Sequence, residues 1–187
     1  MSLRSWVAAR SRGGLTRGCC DLILMGLVLA VGCLLKWHYS NANADELSYV
    51  LAPTAALVEW VTGTPWVAEV GAGYLSRELS ILIAPSCAGV NFLVIAWCML
   101  GAGFLRQLGT TRSKLAWLVL SAALAYTTTV VANAARIVAG AALRGARVAD
   151  GAVSAGQLHR LEGAVVYLTA LVLLFGLATR LVSRWAA

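Results

Sequence analysis

Long apolar runs alternate with short polar or basic segments along the chain. The first run is Leu22–Leu35, flanked by Trp37 and Tyr39 as interfacial aromatics. The second is Val90–Leu105. The third, Leu115–Val131, has a helical pattern that continues through Asn133 and Arg136 to about Leu143. The fourth is Leu161–Leu181. A helix needs about 20 apolar residues to cross a bilayer. The pattern therefore predicts spans over 21–36, 89–105, 115–136 and 161–181, with a small, polar loop over 144–158.

Between the first two spans the period changes. Leu47, Val50, Leu51, Leu57, Val58 and Val61 recur at helical spacing, with Glu46 and Glu59 among them. This predicts an amphipathic helix on the membrane surface, started by Asn43 or Asp45 and ended by Gly63. Val67–Val70 is then short and extended, and Gly71-Ala72-Gly73 signals a turn. Leu75, Arg77, Leu79, Ile81 and Ile83 alternate with Tyr74, Ser76, Glu78, Ser80 and Leu82, which is a β-hairpin pattern. Open strand edges cannot sit in hydrocarbon, so the hairpin must lie outside it. The fold class expected is a mainly α membrane protein, one polytopic domain over 1–187. It has about four transmembrane helices, and residues 45–85 hold an extracytoplasmic amphipathic helix and a short β-hairpin before the second span.

Composition agrees. The chain is 60% hydrophobic and 12% charged, against about 25% charged in soluble domains. The net charge of +7 forms no nucleic-acid patch, because the basic residues flank the apolar runs. If the N-terminus is cytoplasmic, the inner segments hold Arg4, Arg10, Arg12, Arg17, Arg106, Arg112, Lys114, Arg180 and Arg184. Asp21 is the one acid near that side. The positive-inside rule thus fits four spans with both ends inside. Ala42-Asn43-Ala44 would suit signal-peptide cleavage, but the long basic region and the distance from the apolar run favour an uncleaved anchor. The cysteines are Cys19, Cys20, Cys33, Cys87 and Cys98, with no CxxC pair and no zinc-ligand spacing. No disulfide framework, metal or cofactor is expected.

Topology brings three reactive side chains to one depth. Cys87 precedes the outward start of the second span, and Arg136 ends the third. His159 lies about one turn before the fourth. Singly, each has a plain reading: a small buried Cys, an Arg reaching from a helix end to the interface, a solvated His. Together they suggest a nucleophilic site. The thiolate is the attacking form of a cysteine, and a neighbouring guanidinium or imidazole favours it. An Arg also stabilises an oxyanion. Asn133 shares a face with Arg136, and Glu162 and Gly163 share one with His159. Gly89 leaves room beside Cys87 for a peptide to approach.

At these residues the sequence resembles the exosortase/archaeosortase family of membrane transpeptidases. The similarity covers roughly residues 67–180 and rests on PSCAG with Cys87, NAAR with Arg136 and HRLEG with His159, in that order. The block IAPSCAGVNF and the small size are most similar to the exosortase K branch. The resemblance implies Cys87 as nucleophile, with Arg136 and His159 as essential partners. It implies a bacterial inner-membrane, multi-pass enzyme whose site faces the periplasm. Its substrates would be exported proteins with a C-terminal motif, membrane helix and basic cluster, cleaved near the motif and passed to a lipid or other surface acceptor. Many members have Ser after the Cys where this chain has Ala88. The competing reading is a non-enzymatic membrane assembly factor that binds exported partners through the hairpin and the amphipathic helix.

Overall fold

The computed structural model describes the backbone of residues 3–145 and 155–186, and the side chains of residues 18–143 and 161–184. Its elements follow in the order α1 (Leu3–Asn41), α2 (Ser48–Thr62), β1 (Val67–Glu69), β2 (Gly73–Ser76), β3 (Ile81–Ile83), α3 (Val90–Phe104), α4 (Thr111–Gly145) and α5 (Ala155–Ala186). Short 3-10 turns precede and follow α3, at Pro85–Cys87 and Leu105–Gln107. Among the described residues, four segments are long and apolar enough to cross a membrane: Gly18–Asn41, Pro85–Gln107, Thr111–Leu143 and Leu161–Arg184. Each expected span falls inside one of them. The expected loop over 144–158 is shorter than the pattern implied, because α5 is already helical from Ala155. Residues 146–154 of that loop lie outside the described residues.

Lipid-facing helices cannot rely on a hydrophobic force between them, so they need close backbone approach and polar ties. Both are present. A Cβ on Gly32 of α1 would sit 3.0 Å from the Cys98 sulfur of α3. A Cβ on Gly101 of α3 would sit 3.2 Å from both methyls of Val28. At the basic end, Lys114 of α4 forms a largely buried ion pair with Asp21 of α1. The Trp117 indole N–H donates to the Leu100 carbonyl at 2.9 Å. Leu22, Ile23, Val119, Val165 and Leu168 stay exposed, as residues facing lipid do.

A second core lies toward the other end. Leu47, Leu51, Val58, Ile83 and Val90 are fully or almost fully buried there, so α2, the sheet and the start of α3 share one apolar cluster. At 15 residues α2 is too short to cross a bilayer. Its buried stripe of Val50, Leu51, Thr54, Ala55 and Val58 follows helical spacing. Gly63 ends it as expected, in the left-handed region at φ 69°. Its start differs. The residue before α2 is Leu47, and no side chain caps the helix. Asn43 instead exchanges hydrogen bonds with Glu46 in the preceding turn, and the Asp45 carboxylate accepts the Gly71 N–H.

The expected hairpin forms between β1 and β2, with Val67 opposite Leu75 and Glu69 opposite Gly73. The long second strand does not persist. It breaks at Arg77–Ser80, where Ser80 takes φ 52° and the Ser76 hydroxyl accepts the Leu79 N–H at 3.4 Å. Residues 81–83 fold back as β3, antiparallel to β2, giving the order β1-β2-β3. The alternation, broken at Arg77 on its apolar face and at Leu82 on its polar face, still concealed this turn because the turn contains neither Gly nor Pro.

Pro53 lies inside α2 and has no N–H for the Tyr49 carbonyl four residues earlier. The hydroxyl of Tyr126 on α4 donates to that carbonyl at 2.7 Å. Tyr126→Phe should therefore destabilise the protein by about 1 kcal/mol. In a Pro53→Ala background the helix supplies its own donor, and most of that cost should vanish. Reversible unfolding in mixed micelles measures both, and strictly additive costs would refute the compensation.

Candidate functional site

Pro85 fixes the chain leaving β3, with Ala84 still extended at ψ 170°. The Cys87 N–H then donates to the Ala84 carbonyl at 2.8 Å, closing a single 3-10 turn. Gly89 follows at φ 66° and starts α3, its carbonyl accepting the Leu93 N–H at 3.0 Å. Two reasons require glycine there. The left-handed backbone disfavours any side chain, and a Cβ would lie 2.7 Å from the Asn133 amide nitrogen. Cys87 is thereby held half-buried at the mouth of the helix.

Asn133 of α4 approaches through the space that Gly89 leaves. Its side-chain Nδ2 donates to the Cys87 carbonyl at 2.6 Å. Its Oδ1 accepts from the Tyr167 hydroxyl of α5 at 2.5 Å. Asn133 is buried, so both ends of its amide are satisfied inside the protein, as burial demands. Tyr167 stacks on Phe92 of α3, with centroids 5.0 Å apart and planes at 25°. One amide thus connects the Cys87 turn to α5 through α4.

Arg136 lies one turn beyond Asn133. Its Nη1 donates to the Tyr167 hydroxyl at 3.4 Å, and its guanidinium carbon is 5.7 Å from the centre of that ring. A Cβ on Gly163 would come within 3.0 Å of the Arg136 Nε, so this glycine is the seat over which the side chain runs. Glu162 crosses to α4 at Gly140, where a Cβ would lie 3.4 Å from its Oε2. Gly163 was expected on the His159 face. Its packing role against Arg136 is visible only in three dimensions.

Two cavities meet at Arg136. A small one of about 90 Å³ is lined by Ile81, Leu82 and Ile83 of β3, by Cys87, and by Arg136, Ile137, Gly140 and Ala141 of α4. Cys87 and Arg136 therefore border the same space. A larger one of about 410 Å³ lies between α3 and α5. Its lining includes Ser86, Gly89, Asn91, Phe92, Gly163 and Tyr167. Beside it, Lys36 of α1 donates to Asn91 Oδ1 at 2.6 Å. Cys87 does not line this larger cavity, so the smaller one bears on its chemistry.

Of the expected residues, Cys87, Arg136, Asn133 and Gly89 converge, and Glu162 and Gly163 pack on the same segment of α4. His159 lies in α5, one turn before Gly163, and its side chain is outside the described residues. Tyr167 was not anticipated. Its position four residues after Gly163, on one helical face, was the available signal.

Gly89→Ala should destabilise the protein by about 2 kcal/mol, through left-handed strain and the clash with Asn133. Asn133→Ala removes the clash, so the double variant should cost less than the sum of the singles. Unfolding in micelles tests this, and independent costs would show that the two residues do not share space.

The chain matches no protein-family model, no curated protein and no solved structure, so its chemistry is argued from the site itself.

Proposed function

We propose that this chain is a cysteine-dependent membrane transpeptidase or protease of the exosortase/archaeosortase kind. It acts on the periplasmic side of a bacterial inner membrane, on exported proteins with C-terminal sorting tails. The observation that carries the reading is the cavity shared by Cys87 and Arg136. A lone cysteine needs a neighbouring cation to become a useful nucleophile, and the same cation can serve an oxyanion. The orientation is supported by charge. Arg106, Arg112, Lys114, Arg180 and Arg184 mark the helix ends away from Cys87.

The reaction proceeds in two halves. The Cys87 sulfur bonds to the carbonyl carbon of the scissile peptide, and the carbonyl oxygen takes the negative charge beside Arg136. Collapse of this intermediate breaks the carbon–nitrogen bond. His159, in the role the family resemblance gives it, receives the thiol proton and passes it to the departing amine. The released tail stays in the membrane while the exported part remains as a thioester. A lipid or other surface nucleophile then attacks the thioester, gives its proton to His159 and restores the thiol. Water in its place gives hydrolysis. Asn133 and Tyr167 act by positioning: the first fixes the Cys87 turn, the second holds Asn133 and borders the guanidinium.

Cys87→Ala, Arg136→Ala and His159→Ala should each abolish tail processing while the protein accumulates at normal levels. Processing is read as the mobility shift of a tailed exported protein from the same host. Intact processing by Cys87→Ala would sink the enzymatic reading and favour an assembly factor.

A further inference from the structure

The cavity shared by Cys87 and Arg136 has a strand for one wall. β3 is the last strand of the sheet, and among the described residues no strand covers its far side. Leu82 stands opposite Leu75, between the pairs Ser76–Ile81 and Tyr74–Ile83. The carbonyl of Ile83 faces β2, since a Cβ on Gly73 would come within 2.1 Å of its oxygen. In an antiparallel ladder, residues alternate between pointing both backbone groups at the partner strand and pointing both away. Leu82 therefore presents its N–H and its C=O off the open edge. The residues of that edge line the space that Cys87 and Arg136 also line.

We propose that the open edge of β3 is where a polypeptide substrate docks. An extended segment adds as a fourth strand, exchanging both main-chain hydrogen bonds with Leu82, and this delivers the scissile carbonyl to Cys87. The inference rests on the proposed function and specifies how that site holds its substrate. The occupant follows from the chemistry of the edge. One donor and one acceptor, set at backbone spacing on an apolar strand, match another extended backbone. The edge Ile81–Ile83 carries none of the charges that usually guard a free strand. The far wall is α4 at Gly140 and Ala141, and the cavity is small, about 90 Å³. That space takes a backbone with a small side chain and turns away a bulky one. Main-chain pairing supplies affinity, and this narrow wall supplies selectivity.

The test uses the full-length protein in nanodiscs and compares two alkylating reagents, iodoacetamide and iodoacetyl-Ala-Ala-amide. Labelling at Cys87 is followed by peptide mass spectrometry. The peptide reagent should label Cys87 roughly tenfold faster than iodoacetamide, and its all-D isomer should show no such gain. Leu82→Pro removes the outward N–H and should erase the gain, read as the ratio of the two reagents' rates within that variant. Where proline disturbs the fold, replacing the Leu82 amide by an ester deletes the same donor and keeps the side chain. Equal rates for the L and D reagents, or a gain that survives the ester, overturn the proposal. A change in particle mass on Leu82→Pro, with L and D reagents equal, would assign the edge to a second copy instead and also overturn it. The readout needs no turnover. Failure of tail processing to depend on Cys87 would defeat the enzymatic reading without altering these rates.

Discussion

The Asn133 side chain is the interaction on which the half of the molecule around Cys87 depends. It is a buried primary amide with one end on the Cys87 carbonyl and the other on the Tyr167 hydroxyl. In a low-dielectric interior neither partner has water to fall back on. Leaving either unpaired costs about 1–3 kcal/mol. The arrangement is therefore close to all-or-none: the Cys87 turn, α4 and α5 stay in register or lose two bonds together. Gly89 is the steric condition for it, because any side chain there would occupy the space of the amide. The residue beside the candidate nucleophile is thus fixed by packing before catalysis makes any demand on it.

The same logic makes α4 the central post. It packs on α2, α3 and α5. Its polar residues are spaced so that each ties down a different neighbour. Lys114 holds α1, Trp117 holds α3, Tyr126 holds α2, and Asn133 holds the Cys87 turn. Helices in lipid associate without a hydrophobic driving force, so such ties decide which helix sits where. The Tyr126 bond shows how far this goes. A proline inside α2 frees a carbonyl, and a hydroxyl one helix away uses it as an anchor.

The sequence pattern carried the helices well and the site in part. Four apolar runs of spanning length have few alternatives, because hydrocarbon forces every backbone group into a helix. The level of Cys87 and Arg136 followed from counting residues along those runs. The sheet was harder. Leu75 to Ile83 alternates apart from Arg77 and Leu82, and alternation cannot register a left-handed Ser80 that has no glycine to announce it. Gly163 was placed only on the His159 face, and Gly140 carried no readable role. Their importance lies in what passes over them, the side chains of Arg136 and Glu162, and such contacts depend on how α4 and α5 meet. Tyr167 was missed for the same reason. Within an apolar run a tyrosine looks like packing until its hydroxyl is seen on Asn133.

The break at Arg77–Ser80 also alters what the region before α3 can do. A single long hairpin strand would have run directly into Pro85 with β1 as its partner. The extra turn instead sets a new strand, β3, at the rim of the sheet, and the chain leaves β3 for the Cys87 turn within four residues. An open edge beside a thiol is a hazard in a protein with no use for it, since free edges recruit other strands. Here the edge is short and borders a narrow cavity that Arg136 also lines. Under the proposed docking, those features favour an extended chain that enters lengthwise and carries small side chains. The geometry that leaves the edge uncovered also restricts access to it, as the proposed transpeptidase function requires.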